Sequence, residues 1–162
     1  MQQLSSRPDE KLEIIMNKYA DMLFRICIVM LSNHADSQDV IQETMISYIR
    51  SAPVFRSEEH EKAWLIKVTV NKCRDLLRHR LRHKTVSLES AAGIVQPQSD
   101  GHILDSLMSL PEKFRIVLTL YYVEEYSTKE IAKITGKTQS AVKMRLKKGR
   151  VLLREIYREE QE

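Results

Sequence analysis

Apolar residues recur along most of this chain at the three- and four-residue spacing of an amphipathic α-helix. The first run begins at Pro8, which suits the first turn of a helix, and continues to about Leu31. A second run ends near Ile49, and either Asp36 or Ser37 is placed to cap its start. The apolar sides of these two predicted helices contain Ile14, Ile15, Tyr19, Met22, Leu23, Ile26 and Met30 in the first, and Val40, Ile41, Thr44, Met45, Tyr48 and Ile49 in the second.

A third predicted helix runs from a cap at Ser57 to about Arg82. Its buried stripe contains Trp64, Leu65, Val68, Leu76 and Leu77. The helical period then fails over residues 84–102, where Gly, Pro, Ser and Gln interrupt the pattern, so this segment is predicted to be a flexible linker. The chain is therefore predicted to be all-α, with one small helical domain at 8–83 and another at 103–158.

The second predicted domain contains two short helices separated by a glycine. Ser127 and Glu130 have the spacing of a capping box, and Gly136 stands where a helix ends in a left-handed residue. Thr138 can cap a new helix, so the pattern predicts a helix-turn-helix whose second helix enters the DNA major groove. The residues predicted to contact DNA from that helix are Thr138, Gln139, Ser140, Lys143, Met144, Arg145 and Lys147. An ordinary helical hairpin with a solvated basic face is the alternative.

Charge is unevenly distributed, although the net charge is only +4. Residues 62–84 hold eight Lys and Arg against one acidic residue, and residues 137–162 hold eight against four. Residues 1–61 are acidic, with ten Asp and Glu against six Lys and Arg. Basic blocks of this kind indicate contact with a polyanion, of which nucleic acid is the usual example, whereas a single basic helix is also compatible with a solvated face.

Two further helix faces carry candidate binding residues. The third predicted helix places Lys67, Asn71, Arg74 and Arg78 on one face, because they are spaced by three or four residues. Two basic helices in linked domains would gain effective concentration on DNA sites at a fixed separation. The second helix carries an acidic stripe that is either a solvated face or a docking surface for a basic protein. This stripe contains Asp36, Asp39 and Glu43, with Gln42 beside it.

No pattern in the sequence indicates an enzyme, a metal site, a cofactor or a membrane span. The five histidines show no nucleophile or metal arrangement, and Cys27 and Cys73 fall at apolar helical positions where buried free thiols are expected. The longest apolar run, "ICIVML", is too short to cross a bilayer, and the polar N-terminus is unlike a signal peptide. A soluble, cytoplasmic protein without catalytic activity is therefore expected.

The chain contains, in this order, an acidic helix, a Trp-containing basic helix, a linker and a helix-turn-helix. With this order of elements it resembles the small bacterial sigma factors of the extracytoplasmic-function group, group 4 of the sigma-70 family. "DSQDVIQETMISYI" resembles region 2.2, "KAWLIKVTVNKCRDLLRHRLR" resembles regions 2.3 and 2.4, and the stretch from "LPEKFR" to "LKKGR" resembles region 4. The resemblance covers about residues 13–157. Glu61 departs from the pattern, because an aromatic residue often stands three positions before the Trp.

The resemblance implies a promoter-specificity subunit that binds core RNA polymerase and recognises the −10 and −35 elements of stress- or envelope-response promoters. It implies that Asp39, Gln42 and Glu43 contact the clamp helices of the β′ subunit, and the acidic stripe adds Asp36. It also implies that the basic third helix reads the −10 element and that the loop at 51–60 holds a flipped base.

The partners implied by the resemblance are core RNA polymerase, through its β′ and β subunits, promoter DNA and an anti-sigma factor that is often membrane-bound. The free chain is expected to be a monomer. Two other functions compete with this interpretation. One is a stand-alone helix-turn-helix regulator, and the other is an interaction module whose basic helices bind an acidic protein.

Overall fold

The computed structural model describes residues 7–51, 53–83 and 102–161, and every regular element in these ranges is an α-helix. The first lobe contains α1 (Pro8–Leu31), α2 (His34–Ser51) and α3 (Glu58–Arg82). The second lobe contains α4 (His102–Ser109), α5 (Glu112–Tyr122), α6 (Thr128–Thr135) and α7 (Gln139–Glu159). The predicted all-α fold class is confirmed. The linker predicted at 84–102 lies outside the described residues, except that His102 is the first residue of α4.

Local capping explains where the helices of the first lobe begin. The Ser57 hydroxyl accepts a hydrogen bond from the His60 N–H at 3.1 Å, so α3 begins as predicted. Helix α2 begins earlier than predicted, because Asn33 Oδ1 accepts from the Asp36 N–H at 2.9 Å. The prediction that Asp36 or Ser37 caps this helix was therefore wrong. The apolar positions of α2 begin later than its first turn, so the pattern alone missed that turn.

The core of the first lobe lies between α1 and its two neighbours, α2 and α3. Leu23 and Ile26 of α1 are fully buried there. Two residues predicted on apolar sides face solvent instead, since Ile14 is 61% exposed and Ile49 is 45% exposed. Consecutive residues point about 100° apart around a helix, and in each pair the neighbouring residue, Ile15 or Tyr48, occupies the buried position.

The second lobe packs around α5, whose residues 114–120 are all buried. Helix α7 approaches α5 closely at Gly149, where an added Cβ would lie 3.2 Å from Leu118 Cδ1. The two lobes also touch each other, because α1 packs against α5 and α3 packs against α6. Helix α7 is therefore supported by the buried helix α5, while α5 and α6 contact the first lobe.

The two cysteines lie together in the first lobe, on α1 and α3. Cys27 and Cys73 are free and fully buried, and their Sγ atoms are 3.8 Å apart. The hydrogen bond with Cys27, together with burial, raises the pKa of the Cys73 thiol well above its ordinary value. Because the thiolate is the reactive form, the raised pKa protects Cys73, and burial shields both sulfurs. The predicted buried free thiols are confirmed.

We expect iodoacetamide at pH 8 to label neither cysteine in the folded chain, because both side chains are completely buried. In denaturant both should be alkylated, which intact-mass spectrometry would detect as a shift of two adducts. The denatured sample is the control for reagent activity. Labelling of the native chain at the denatured rate would contradict the buried placement of the pair.

Candidate nucleic-acid interface

The helix-turn-helix is defined by three local interactions that the sequence predicted. Ser127 Oγ accepts from the Glu130 N–H at 3.2 Å, and the Glu130 carboxylate accepts from the Ser127 N–H at 2.7 Å. This reciprocal capping box lowers the pKa of Glu130, mainly through the bond from the Ser127 backbone. Gly136 then ends α6 in the left-handed region at φ 63°, and the Thr138 hydroxyl accepts from the Ala141 N–H at 3.1 Å to begin α7.

Contacts between α6 and α7 hold the angle of the motif. Ile131, Ile134, Val142 and Leu146 are buried between the two helices and α5. At the open end of the turn, Gln139 Nε2 donates to Thr128 Oγ1 at 2.9 Å and links the first turns of both helices. The buried side of α7 is therefore fixed, and its orientation determines which residues face outward.

The outward side of α7 carries the residues predicted to contact DNA. Thr138, Gln139, Ser140, Lys143, Met144 and Lys147 are exposed, and Met144 is 72% exposed. Arg145 is half-buried beside Lys113 and Phe114 at a small cavity of about 260 Å³. An exposed polar and basic face on the second helix of such a motif has the composition required for base and phosphate contacts.

Packing between the lobes leaves part of the basic face predicted on α3 exposed and buries the rest. Lys67, Asn71 and Arg78 are exposed, and Arg78 Nη1 lies 3.5 Å from Asp75 Oδ1. Arg74 is half-buried and donates a hydrogen bond to the backbone carbonyl of Thr135. Burial lowers the pKa of Arg74. Three of the four predicted residues are thus accessible together, while the guanidinium of the fourth is occupied by the other lobe.

The acidic stripe of α2 faces outward beside α3. Asp39, Gln42 and Glu43 are exposed, whereas Asp36 is half-buried and forms an ion pair with Arg80. Glu43 Oε2 also lies 3.7 Å from Lys72 Nζ. The sequence analysis placed Lys72 and Arg80 in the basic block without predicting that they pair with acids of α2. Their spacing of eight residues, about two helical turns, puts them on one face of α3 and could have indicated a shared partner helix.

The loop before α3 carries a small aromatic cluster. The Phe55 ring lies 6.0 Å from that of Tyr48 and 5.8 Å from that of Trp64, and Trp64 is partly buried against the core. His60 completes the cluster at 5.3 Å from Phe55. Val54 in the same loop is 92% exposed. Trp64 therefore acts as a packing residue that anchors the loop to α2 and α3.

The described residues offer neither a metal site nor a membrane span. No cluster of three or more His, Cys, Asp or Glu residues could hold a metal ion there. No helix in the same ranges is both long and apolar enough to cross a membrane.

Comparisons with known proteins agree with this two-lobe arrangement. Residues 15–83 match the family model for Sigma-70 region 2, and residues 101–153 match the model for Sigma-70, region 4. The ECF RNA polymerase sigma factor SigW of Bacillus subtilis is 25% identical over 164 residues, which cover 90% of this chain and 88% of that protein.

Two solved structures share the fold. The sigma factor RpoE, in complex with the anti-sigma factor NepR from Bartonella quintana, aligns with a TM-score of 0.74 and 21% identity over 94% of this chain and 98% of that one. CnrH, in complex with the cytosolic domain of CnrY, aligns with a TM-score of 0.65 and 23% identity over 94% and 90%.

The first lobe carries a basic helix, and the second carries a capped helix-turn-helix. This arrangement is that of a DNA-binding protein that acts in transcription. The chain belongs to the sigma-70 family, in its extracytoplasmic-function group. It is a promoter-specificity subunit of RNA polymerase and not an enzyme. A stand-alone helix-turn-helix regulator is not favoured, because the region 2 match accounts for the first lobe as well.

Gly136→Ala should destabilise the chain by about 1–2 kcal/mol, because a residue with a Cβ is strained in the left-handed region. Apart from the two neighbouring residues, no atom of the described residues lies within 4 Å of the added methyl group, so the cost would come from the backbone alone. Gly136→Asn is the control and should lose less, since asparagine tolerates this conformation. Denaturant unfolding measures both variants. A Gly136→Ala variant as stable as the wild type would contradict the geometry of the turn.

Proposed function

We propose that this sigma factor works through three separate surfaces, one on each of α2, α3 and α7. The region 2 domain would comprise residues 8–83 and the region 4 domain residues 103–158, with 84–102 as the tether between them. The observation that carries the proposal is the capped helix-turn-helix, whose second helix presents an exposed polar and basic face. The acidic and basic faces of the first lobe support the other two surfaces.

The −35 element would be read by the first turns of α7. Gln139, Ser140 and Met144 are exposed near the helix start and would meet base edges, while Lys143 and Lys147 would also neutralise phosphates. Thr138 uses its hydroxyl for the cap, so its contribution would be to position the helix. Arg145 would lie at the margin of the interface, because it is half-buried against α5.

The −10 element would be bound along α3. Lys67, Asn71 and Arg78 form an exposed polar face there, and Arg74 would join them once it is released from Thr135. A flipped base would be held by the loop at 51–60. The packing of Phe55 against Tyr48 and Trp64 supports this assignment, because it gives the loop a fixed anchor.

Core polymerase would bind the acidic stripe of α2 through the clamp helices of β′, with a further contact to β. Asp39, Gln42 and Glu43 are exposed on one face, and electrostatic complementarity would steer this face to a basic partner. Asp36 is paired with Arg80 and would orient the surface more than it contacts the partner.

An anti-sigma factor is a further proposed partner. The structure of RpoE is a complex with the anti-sigma factor NepR, which supports such a partner here. The structure of CnrH is a complex with the cytosolic domain of CnrY, which supports a membrane-anchored regulator facing the cytoplasm. An apolar groove of about 570 Å³ between α4, α5 and α7 supports the binding of a protein partner, since exposed apolar surface of this kind is typical of interaction sites. The free chain would be a cytoplasmic monomer, and its promoters would belong to a stress or envelope response.

Run-off transcription tests the proposal. Purified protein with bacterial core polymerase and a library of genomic promoter fragments should give discrete start sites that depend on this chain. Lys143→Ala should reduce initiation about tenfold by removing a contact in the −35 interface. Lys148→Ala is the matched control, because Lys148 lies on the same helix but over the Phe114 ring. No initiation from folded protein, or equal loss in both variants, would contradict the proposed interface.

Asp39→Lys combined with Glu43→Lys should abolish binding to core polymerase, because it reverses the charge of the proposed docking face. The fold should survive, since Asp39 is exposed and the Glu43 carboxylate is itself 67% exposed where it lies near Lys72, so their ion pair contributes little. Asp9→Lys with Glu13→Lys changes the same charge at the same spacing on α1 and is the control. Gel filtration with core polymerase reports binding, and unchanged binding would place the docking face elsewhere.

A further inference from the structure

Gln139 is the first residue of α7, and its side chain is oriented by the other helix of the helix-turn-helix. Its Nε2 atom donates a hydrogen bond to Thr128 Oγ1 at 2.9 Å, and Thr128 is the first residue of α6. The two residues are eleven positions apart, so the bond depends on the turn between the helices. Gln139 is exposed and Thr128 is half-buried. A side chain of the proposed DNA surface is therefore held by a residue that this surface does not include.

The hydroxyl of Thr128 is used differently from the hydroxyls of the two capping residues. Those of Ser127 and Thr138 each accept a hydrogen bond from a backbone N–H and complete the start of a helix. The Thr128 hydroxyl accepts from a side chain instead. Removing it would leave both caps in place and would release only the amide of Gln139.

The bond to Thr128 determines what the amide of Gln139 can offer to a base. A glutamine amide has two N–H donors on Nε2 and one acceptor, Oε1. Thr128 occupies one donor, so one N–H and Oε1 remain, and within the described residues neither has a hydrogen-bond partner. The exposed amide therefore offers one donor and one acceptor.

Adenine presents the complementary pair in the major groove, because its N7 is an acceptor and its N6 amino group is a donor. A glutamine amide can bond both groups at once. Guanine presents two acceptors, N7 and O6, so it would place an acceptor against Oε1. The reverse orientation of the amide, with Oε1 on the Thr128 hydroxyl, would offer two donors and would suit guanine. The orientation in the structure, with Nε2 on that hydroxyl, therefore favours adenine.

The position of Gln139 suits such a contact. The N-terminal residues of the second helix of a helix-turn-helix are the ones that contact base edges, and Gln139 lies in the first turn of α7. A free glutamine side chain has several rotatable bonds, and ordering it costs conformational entropy. The bond to Thr128 orders the side chain before DNA is bound, so less of this cost falls on binding.

We propose that Gln139 reads an adenine of the −35 element, and that Thr128 is the positioning residue that makes it prefer adenine to guanine. This inference rests on the proposed function, because it takes α7 as the helix that reads the −35 element. It adds the base that is read and the residue that selects it. Thr128 would act through Gln139 without touching DNA, so it would determine the preference at one base pair and leave the other −35 positions unchanged.

Run-off transcription from a promoter library with a randomised −35 element tests the base that Gln139 reads. Each −35 sequence is linked to a transcribed barcode, so transcripts made by core polymerase with this chain report the preference at each position. The wild type should prefer adenine to guanine at one position by about tenfold, and Gln139→Ala should lose the preference there alone. Gln139→Arg should change that preference to guanine, because a guanidinium donates to both acceptors of guanine.

The same library tests the role of Thr128. Thr128→Val exchanges the hydroxyl for a methyl group of similar size, and it should lower the ratio of adenine to guanine several-fold at the Gln139 position. Thr128→Ser is the matched control, because it keeps the hydroxyl and should keep the ratio. If circular dichroism shows that Thr128→Val is not folded, Thr128→Ala takes its place. A bond that only joined the helices would lower initiation from all −35 sequences equally and leave the ratio unchanged.

The outcomes separate this inference from the function on which it rests. If the wild type has a −35 preference but Gln139→Ala relaxes no position, or relaxes one at which guanine is preferred, the inference is overturned and the proposed function stands. A folded Thr128→Val variant with the wild-type ratio, or a Thr128→Ser variant with a ratio as low as that of Thr128→Val, overturns the role of Thr128. If the folded wild type initiates from no −35 sequence, the proposed function fails, and this inference fails with it.

Discussion

The packing of α1 is the interaction on which the rest of the structure depends. Leu23 and Ile26 on its apolar stripe are completely buried against α2 and α3, which makes the first lobe a single core. The same helix also packs against α5 and carries Arg25, which holds Glu124 of the second lobe. Burial of apolar surface stabilises the lobe but is not directional. The ion pair between Arg25 and Glu124 is directional, so it favours one orientation of the second lobe. One helix thus supports both the fold and the arrangement of the two binding lobes.

The position of α7, the second helix of the helix-turn-helix, depends on interactions between residues that are close in sequence. The capping box of Ser127 and Glu130, the left-handed Gly136 and the cap at Thr138 lie within twelve residues of one another. They satisfy backbone groups that the two helices leave open at their ends, so the turn needs no distant partner to form. Burial of Leu146 and its neighbours then fixes the rotation of α7, and the polar face is left in solvent.

The basic charge of α3 serves both structure and binding. Lys72 and Arg80 point towards Glu43 and Asp36 of α2, and Arg74 reaches the end of α6. The same acids that would face polymerase are therefore partly balanced from within the lobe. This division explains how a strongly basic helix packs beside an acidic one, and it leaves a smaller, defined face for nucleic acid than the charge block alone indicates.

The sequence by itself determined the helices, the caps of α3, α6 and α7, and the residues that α7 exposes apart from Arg145, because periodicity and capping act within a few residues along the chain. It did not determine the start of α2 at His34, since the cap at Asn33 precedes the apolar pattern. Only the tertiary structure decided that Arg74 is occupied by Thr135 and that Glu124 is held by Arg25. Those pairs join residues far apart in the chain, and the geometry that brings them together arises from the packing of complete helices.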